Sequence, residues 1–274
     1  VTEPTRPTFL RRKLGAKLRR MREEAGHTLE SAAPMLDKTK SALHRIETGE
    51  TRADVHLVRS IMDLYQCYDE ELLEEVREAL KTPWYRVFGI RNSDFFDVET
   101  EASEISQFLL IEVPGLLQTR AYMRTLFSAR CRQVPVDTSM KVRLYRQRRL
   151  TSEDHPLQLH SIVCEAALRR RFGPPELMQE QLRHLITMSE LPTVTLQVLQ
   201  DRGTFYLPNA PFTVLSFPDP DDPRYLYMEN PTGSLQTEDH AQVEEARLLL
   251  EALRIEALNP SDSVAFIEEL ARNR

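Results

Sequence analysis

Lys40, Ser41, His44 and Arg45 stand at i, i+1, i+4 and i+5 in the run "TKSALHRIETG", Thr39 to Gly49. On a helix this spacing gathers four polar side chains on one side. Their chemistry is hydrogen bonding to the edges of bases. Arg45 can take the two acceptors of guanine bidentately, Lys40 can reach a guanine or a phosphate, and Ser41 is an adaptable donor or acceptor. His44 stays open between a base, a phosphate and a solvated helix face. Arg52, just past the helix, suits a phosphate. Thr28 and Thr39 can each cap a helix, and the backbone amides behind them are further phosphate donors.

These side chains need elements to hold them. From Phe9 onward, Leu10, Leu14, Leu18, Met21 and Ala25 recur at helical spacing, with a basic opposite face, until Gly26 stops the helix. Thr28 opens a second helix and Thr39 a third, which Gly49 terminates. Asp54 and Asp69 cap a fourth and a fifth. Ala33 lies where the second and third helices cross, with Leu36, Leu43 and Ile46 as core. Two positions strain this reading. Pro34 lies inside the second helix, where the ring clashes with the preceding turn at a cost of roughly 3 kcal/mol, so a kink or local irregularity is expected there. Asp37 occupies a turn that favours glycine, although aspartate tolerates the left-handed conformation.

The expected architecture is multidomain. An all-α, five-helix, helix-turn-helix headpiece fills residues 1–82, with residues 1–7 a disordered arm. A larger α+β domain with a mainly antiparallel sheet fills residues 83–274, the boundary falling at Pro83. In the second part a polar helix is expected around Asp97 to Phe108. Strands are expected in "LQLHSIVCEA", "TVTLQVL", "FTVLSF" and "RYLYMEN", and two helices close the chain.

Charge follows the same division. The net charge is -6, yet residues 1–52 hold 12 Lys and Arg against 7 Asp and Glu, and the remainder holds 24 against 35. The basic end is where phosphates would be met, and the acidic body should face away from DNA. No apolar run is long enough for a membrane span, and no signal-peptide stretch is expected. Cys67, Cys131 and Cys164 form no CxxC pair and read as free buried thiols in a reducing, cytoplasmic setting.

Catalytic patterns do not emerge, and neither an enzyme, a metal nor a cofactor is expected. The eight glycines form no phosphate-cradling loop, the histidines are scattered, and no serine sits in a nucleophile elbow. "PDPDDP", with Asp219, Asp221 and Asp222, lacks the glycine and closing glutamate of a calcium loop and reads as a turn. Two stretches stay open. "IEVPGLLQT", with Val113, Pro114, Gly115 and Leu116, reads as core or as a groove for a partner or ligand. "RQRRL", with Arg146, Arg148 and Arg149, reads as a solvated face or as a seat for an anionic ligand or acidic partner.

The run "LRRMREEAGHTLESAAPMLDKTKSALHRIETGE" resembles the phage-repressor (Xre) type of helix-turn-helix over residues 10–66. In such domains an arginine of the first helix pairs with the glutamate that ends the recognition helix. Arg22 and Glu47 hold those positions, so the resemblance implies a structural salt bridge between them. "EVPGLLQTRAYMRTLF", "VRLYRQRRL", "APFTVLSFPDPDDPRYLYMEN" and "LRIEALNPSDSVAFIEELA" together resemble the effector-like domain of actinobacterial WhiJ-like regulators. That resemblance implies a DNA-binding transcription regulator of double-stranded DNA, cytoplasmic and nucleoid-associated. It also implies control through the second domain by a small acidic partner protein. A homodimer is expected, and an unknown small-molecule effector remains open. An alternative is a regulator–antagonist pair in which the second domain is chiefly a protein-binding module.

Overall fold

A computed structural model describes residues 7–90, 93–129, 134–201, 208–230 and 233–273. Residues 1–6 of the expected arm and Cys131 lie outside the described residues. The chain divides into two compact units, Val1–Glu101 and Ala102–Arg274.

The first unit is helical: α1 (Phe9–Glu24), α2 (Leu29–Met35), α3 (Lys40–Glu47), α4 (Val55–Tyr65) and α5 (Glu70–Leu80). A 3-10 turn (Trp84–Phe88) and α6 (Asp94–Glu101) complete it. The caps are local and each is formed. Thr28 Oγ1 accepts from the Ser31 amide while Ser31 Oγ accepts from the Thr28 amide, a reciprocal capping box. Thr39, Asp54 and Asp69 accept from Ala42, Leu57 and Leu72. The apolar stripes meet in one core of Leu14, Leu18, Ala33, Leu43, Ile46, Val58, Ile61 and Val76.

Pro34 departs from expectation. α2 is unbroken from Leu29 to Met35, and Pro34 lies in its last turn. A helix this short loses one internal bond to the proline and then ends. Leu36 N–H bonds back to Ala32 and Ala33, Lys38 N–H bonds to Ala33, and Asp37 takes the left-handed conformation with φ 53°.

Residues 84–101 belong to the first unit. Trp84 Nε1 donates to Thr100 Oγ1 at 2.9 Å, buried Tyr85 donates to Asp97 Oδ1 at 2.8 Å, and α6 packs against α1.

The second unit is α+β. Its six strands, β1 (Glu104–Leu109), β2 (Gln158–Cys164), β3 (Val194–Leu199), β4 (Phe212–Ser216), β5 (Tyr225–Asn230) and β6 (Gly233–Thr237), lie in the order β3-β2-β1-β4-β5-β6. The β1–β4, β4–β5 and β5–β6 pairs are antiparallel, and β1–β2 and β2–β3 are parallel, so the sheet is mixed and mostly antiparallel. Helices are α7 (Arg120–Ala129), α8 (Val136–Gln147), α9 (Glu165–Arg169), α10 (Pro175–Met188), α11 (His240–Glu256) and α12 (Pro260–Arg272). The helix expected over Asp97–Phe108 is in fact α6 followed by β1. Ile105 and Phe108 are buried because β1 is a central strand, paired on both sides. Cys164 is buried, which pushes its thiol up to about 11, whereas Cys67 is exposed near the cap of α5.

Candidate nucleic-acid interface

α3 has two unlike faces. Leu43, Ile46 and Glu47 are buried, whereas Lys40, Ser41, His44 and Arg45 are all exposed. The apolar back is seated on the first unit's core, and the polar front is free of covering elements within that unit.

The back is held by close approach. A Cβ on Gly15 would lie 2.5 Å from Glu47 O, and one on Gly49 would lie 2.8 Å from the Arg11 backbone. Gly49 also has φ 77°, a left-handed conformation that side chains rarely adopt. Glycine at these two sites lets α1 and the end of α3 touch backbone to backbone. In the sequence Gly49 reads as a helix terminator alone, and Gly15, a glycine within a helical pattern, carries no signal of this role.

One ion pair clamps the same crossing. Arg22 Nε donates to Glu47 Oε1 at 2.7 Å and Arg22 Nη2 to Glu47 Oε2 at 3.0 Å. Arg22 Nη1 also donates to His27 O at 2.7 Å. Both side chains are buried, and the bonded carboxylate raises the arginine pKa further. Tyr65 packs nearby, with its phenol pushed up to about 12 by burial and then by the Glu47 charge.

The front is lightly engaged. Lys40 Nζ pairs with Glu30 of α2, both side chains about 60% exposed, and this bond depresses the Glu30 carboxyl. An ion pair so exposed is worth little, so Lys40 can exchange it for a phosphate or base. Arg52 is exposed in the loop after α3. That loop is folded onto the helix by Thr51 N–H donating to Arg45 O at 2.9 Å.

Candidate residues of the second unit are placed differently. Val113, Pro114 and Leu116 are buried. Gln118 Nε2 donates to Val113 O, Arg143 Nη1 donates to Gln118 Oε1 at 2.5 Å, and Gln147 Nε2 donates to Gln118 O. Fully buried Gln181 donates to Leu117 O and accepts from the Thr119 amide. A Cβ on Gly115 would lie 3.5 Å from Arg143 Cζ, an ordinary van der Waals contact. Arg149 Nη2 donates to Ala102 O at 2.7 Å, and Arg146 is half-buried on α8. Together these residues make a packed, internally bonded corner between α8 and the "VPGLLQT" segment. Gln118, Arg143 and Gln181, which tie it, carry no signal in the sequence, because a lone glutamine fits a surface as well as a core.

Among the described residues, no group of three or more His, Cys, Asp or Glu could hold a metal ion. No helix there is long and apolar enough to cross a membrane.

The first unit is thus a helix-turn-helix domain: residues 13–76 match the model described as "Helix-turn-helix domain", the mark of a DNA-binding regulator. Residues 92–269, more than half of the chain, match the model described as "Domain of unknown function (DUF5753)", and the protein belongs to that family. No curated protein and no solved structure matches the chain.

Proposed function

We propose that this protein is a sequence-specific transcription regulator that lays α3 in the major groove of double-stranded DNA. Lys40, Ser41, His44 and Arg45 then meet base edges, and Thr28, Thr39 and Arg52 mark the phosphate contacts. The observation that carries this reading is the division of α3 into a clamped, buried back and an exposed, hydrogen-bonding front. DNA binding is assigned to the first unit, and assembly and response to a signal to the second. No catalytic role and no cofactor is part of the reading, and the setting is cytoplasmic, at the nucleoid. The resemblance to actinobacterial WhiJ-like, Xre-type regulators supports the same assignment.

Two features of the second unit support control through it. The solvent face of α11 exposes Leu248 by 57% and Ile255 by 81%, apolar area that suits a homodimer contact. A cavity of about 670 Å³ is lined by Arg169, Arg171, Met178 and Leu270. Its size falls in the range of small-molecule sites, and its arginines suit an anionic effector or the acidic edge of a small partner protein. The same arginines favour the second reading, in which this unit is chiefly a protein-binding module of a regulator–antagonist pair.

Selection of duplexes from a randomised pool by the full chain tests the main reading. An enriched motif with two half-sites about 34–36 Å apart, or a multiple of that, is the expected result. Enrichment of no motif at all would overturn sequence-specific binding.

A further inference from the structure

The cavity of about 670 Å³ in the second unit has two unlike ends. Met178 and Leu270 line it and are 1% and 6% exposed, so they form its floor. Arg169, Arg171 and Asn273 line it and are exposed, so they stand at its mouth. Three elements meet here. Arg169 ends α9, Met178 lies in the first turns of α10, and Leu270 lies in the last turn of α12, which packs along α10. The two arginines differ. Arg169 Nε bonds to Glu165 Oε1, and its guanidinium lies 5.7 Å from the centre of the Phe266 ring. That group is held in place and its charge is already answered. Arg171 has neither a hydrogen bond nor a carboxylate partner among the described residues, and the side-chain amide of Asn273 is equally uncommitted. Among the described lining residues, Arg171 is therefore the charge left without a counter-charge.

Size and charge together define the occupant. A concave site of this volume falls in the range that encloses a small organic molecule. An inorganic anion, or one acidic side chain reaching in from a protein surface, is far smaller and would leave Met178 and Leu270 uncovered. An uncharged apolar molecule would cover the floor and leave Arg171 unanswered. One uncompensated guanidinium matches one negative charge, and its fork of donors fits the two oxygens of a carboxylate. The Asn273 amide, on the same rim, can donate a further bond.

The geometry points to this cavity as the seat of a small amphipathic carboxylate, its acid group on Arg171 and its apolar body on Met178 and Leu270. A bound molecule would join the end of α9 and the start of α10 to the end of α12. This inference rests on the reading of the second unit as the part that responds to a signal, and it names the chemistry of that signal.

The test uses the full chain and anilinonaphthalene sulfonate, a fluorescent probe with one negative charge on an apolar ring system. Saturable binding is expected, and octanoate should displace the probe where octanol and inorganic phosphate do not. Arg171→Ala should weaken the probe by about tenfold or more, the worth of a hydrogen bond to a charged group. Arg171→Lys, which keeps the charge, should recover part of that loss. Uncharged phenylnaphthylamine should bind the parent and Arg171→Ala equally. Circular dichroism melts confirm that each variant is folded, which exposed Arg171 allows. Probe binding that Arg171→Ala leaves unchanged, displacement by octanol as readily as by octanoate, or no saturable binding to the folded parent overturns the site. Octanoate that displaces the probe yet leaves duplex affinity unchanged supports the site and overturns control through it. DNA binding itself is decided separately, by the duplex selection above.

Discussion

Arg22 and Glu47 meet in a bidentate ion pair whose two bonds, 2.7 and 3.0 Å long, are almost wholly withdrawn from solvent. The pair joins α1 to the last residue of α3, so it fixes the angle at which the exposed polar face of α3 is presented. Removing one partner leaves the other charged and buried, a state that costs about 3–5 kcal/mol. Glu47→Ala should lower the stability of the first unit by that amount in urea unfolding. The double change Arg22→Met with Glu47→Leu should cost less than either single change, because no lone charge remains. A double variant as unstable as the sum of the singles would show that packing, rather than the stranded charge, sets the penalty.

Arg45 is exposed on the front of α3 and none of its neighbours there is apolar core. Arg45→Ala should therefore leave the melting temperature unchanged while weakening binding to the selected duplex by about 1–3 kcal/mol. It should also relax the preference at one base position. Selection with the variant checks both; an enriched motif identical to that of the parent would remove Arg45 from the reading face.

Gly15 leaves no room for a side chain. A Cβ there would meet Glu47 O at 2.5 Å and Ile46 O at 2.8 Å, both backbone atoms that cannot rotate away. Gly15→Ala raises helix propensity and in an exposed position would stabilise α1. Here α1 and α3 must move apart instead, at a cost of about 1–3 kcal/mol. Chemical denaturation gives the sign directly, and a stabilised variant would refute the close crossing.

Burial pushes Asp97 up to about 6, against the pull of the Tyr85 hydrogen bond in the other direction. In the unfolded chain an aspartate titrates near its ordinary value of about 3.9. Between those two values the folded state binds more protons than the unfolded state. The contribution of Asp97 to stability is thus full below about 4 and is lost as pH rises through about 6. Asp97→Asn keeps an acceptor for Tyr85 and carries no charge. It should stabilise the first unit at pH 7 relative to the parent and remove this part of the slope. The only tryptophan, Trp84, lies 5.7 Å from the Phe96 ring and reports the transition by fluorescence. Equal parent and variant stabilities at pH 4 and pH 7 would refute the assignment.

Legibility from sequence tracked how local each cause is. Thr28, Thr39, Asp54 and Asp69 act on amides two or three residues away, and all four caps form as their types suggest. Asp37 in the left-handed region was legible for the same reason. That Pro34 leaves α2 unbroken was not, because only Leu29–Ala33 precede it in the helix, so the lost bond and the ring fall on a single turn. Glu104–Leu109 looked like a continuation of a helix, since a strand buried between two neighbours is defined by partners more than 50 residues away. β6, with "GSLQT", carries little apolar signal because it is an edge strand paired, among the described residues, with β5 alone. The front of α3 was readable from residue types alone. Gly15 was not, because it matters through a backbone contact made across the fold.

The solvent face of α11 yields the last expectation. Leu248 and Ile255 are seven residues apart, so they share one side of the helix, with Ala252 between them. The flank beside them alternates in sign: Glu244 pairs with Arg247, and Glu251 with Arg254. A second copy packed antiparallel would meet charges of both signs and is not repelled, whereas a flank of one sign would exclude it. Leu248→Glu with Ile255→Glu adds four like charges to such a contact and touches no core residue. Light scattering after size-exclusion chromatography should give a dimer for the parent and a monomer for the variant, with equal melting profiles at low concentration. The variant should also bind a single half-site no worse than the parent does and lose the gain from the second. A variant that remains dimeric would move the interface elsewhere, and a parent that is monomeric at all concentrations would remove two-fold assembly from the mechanism.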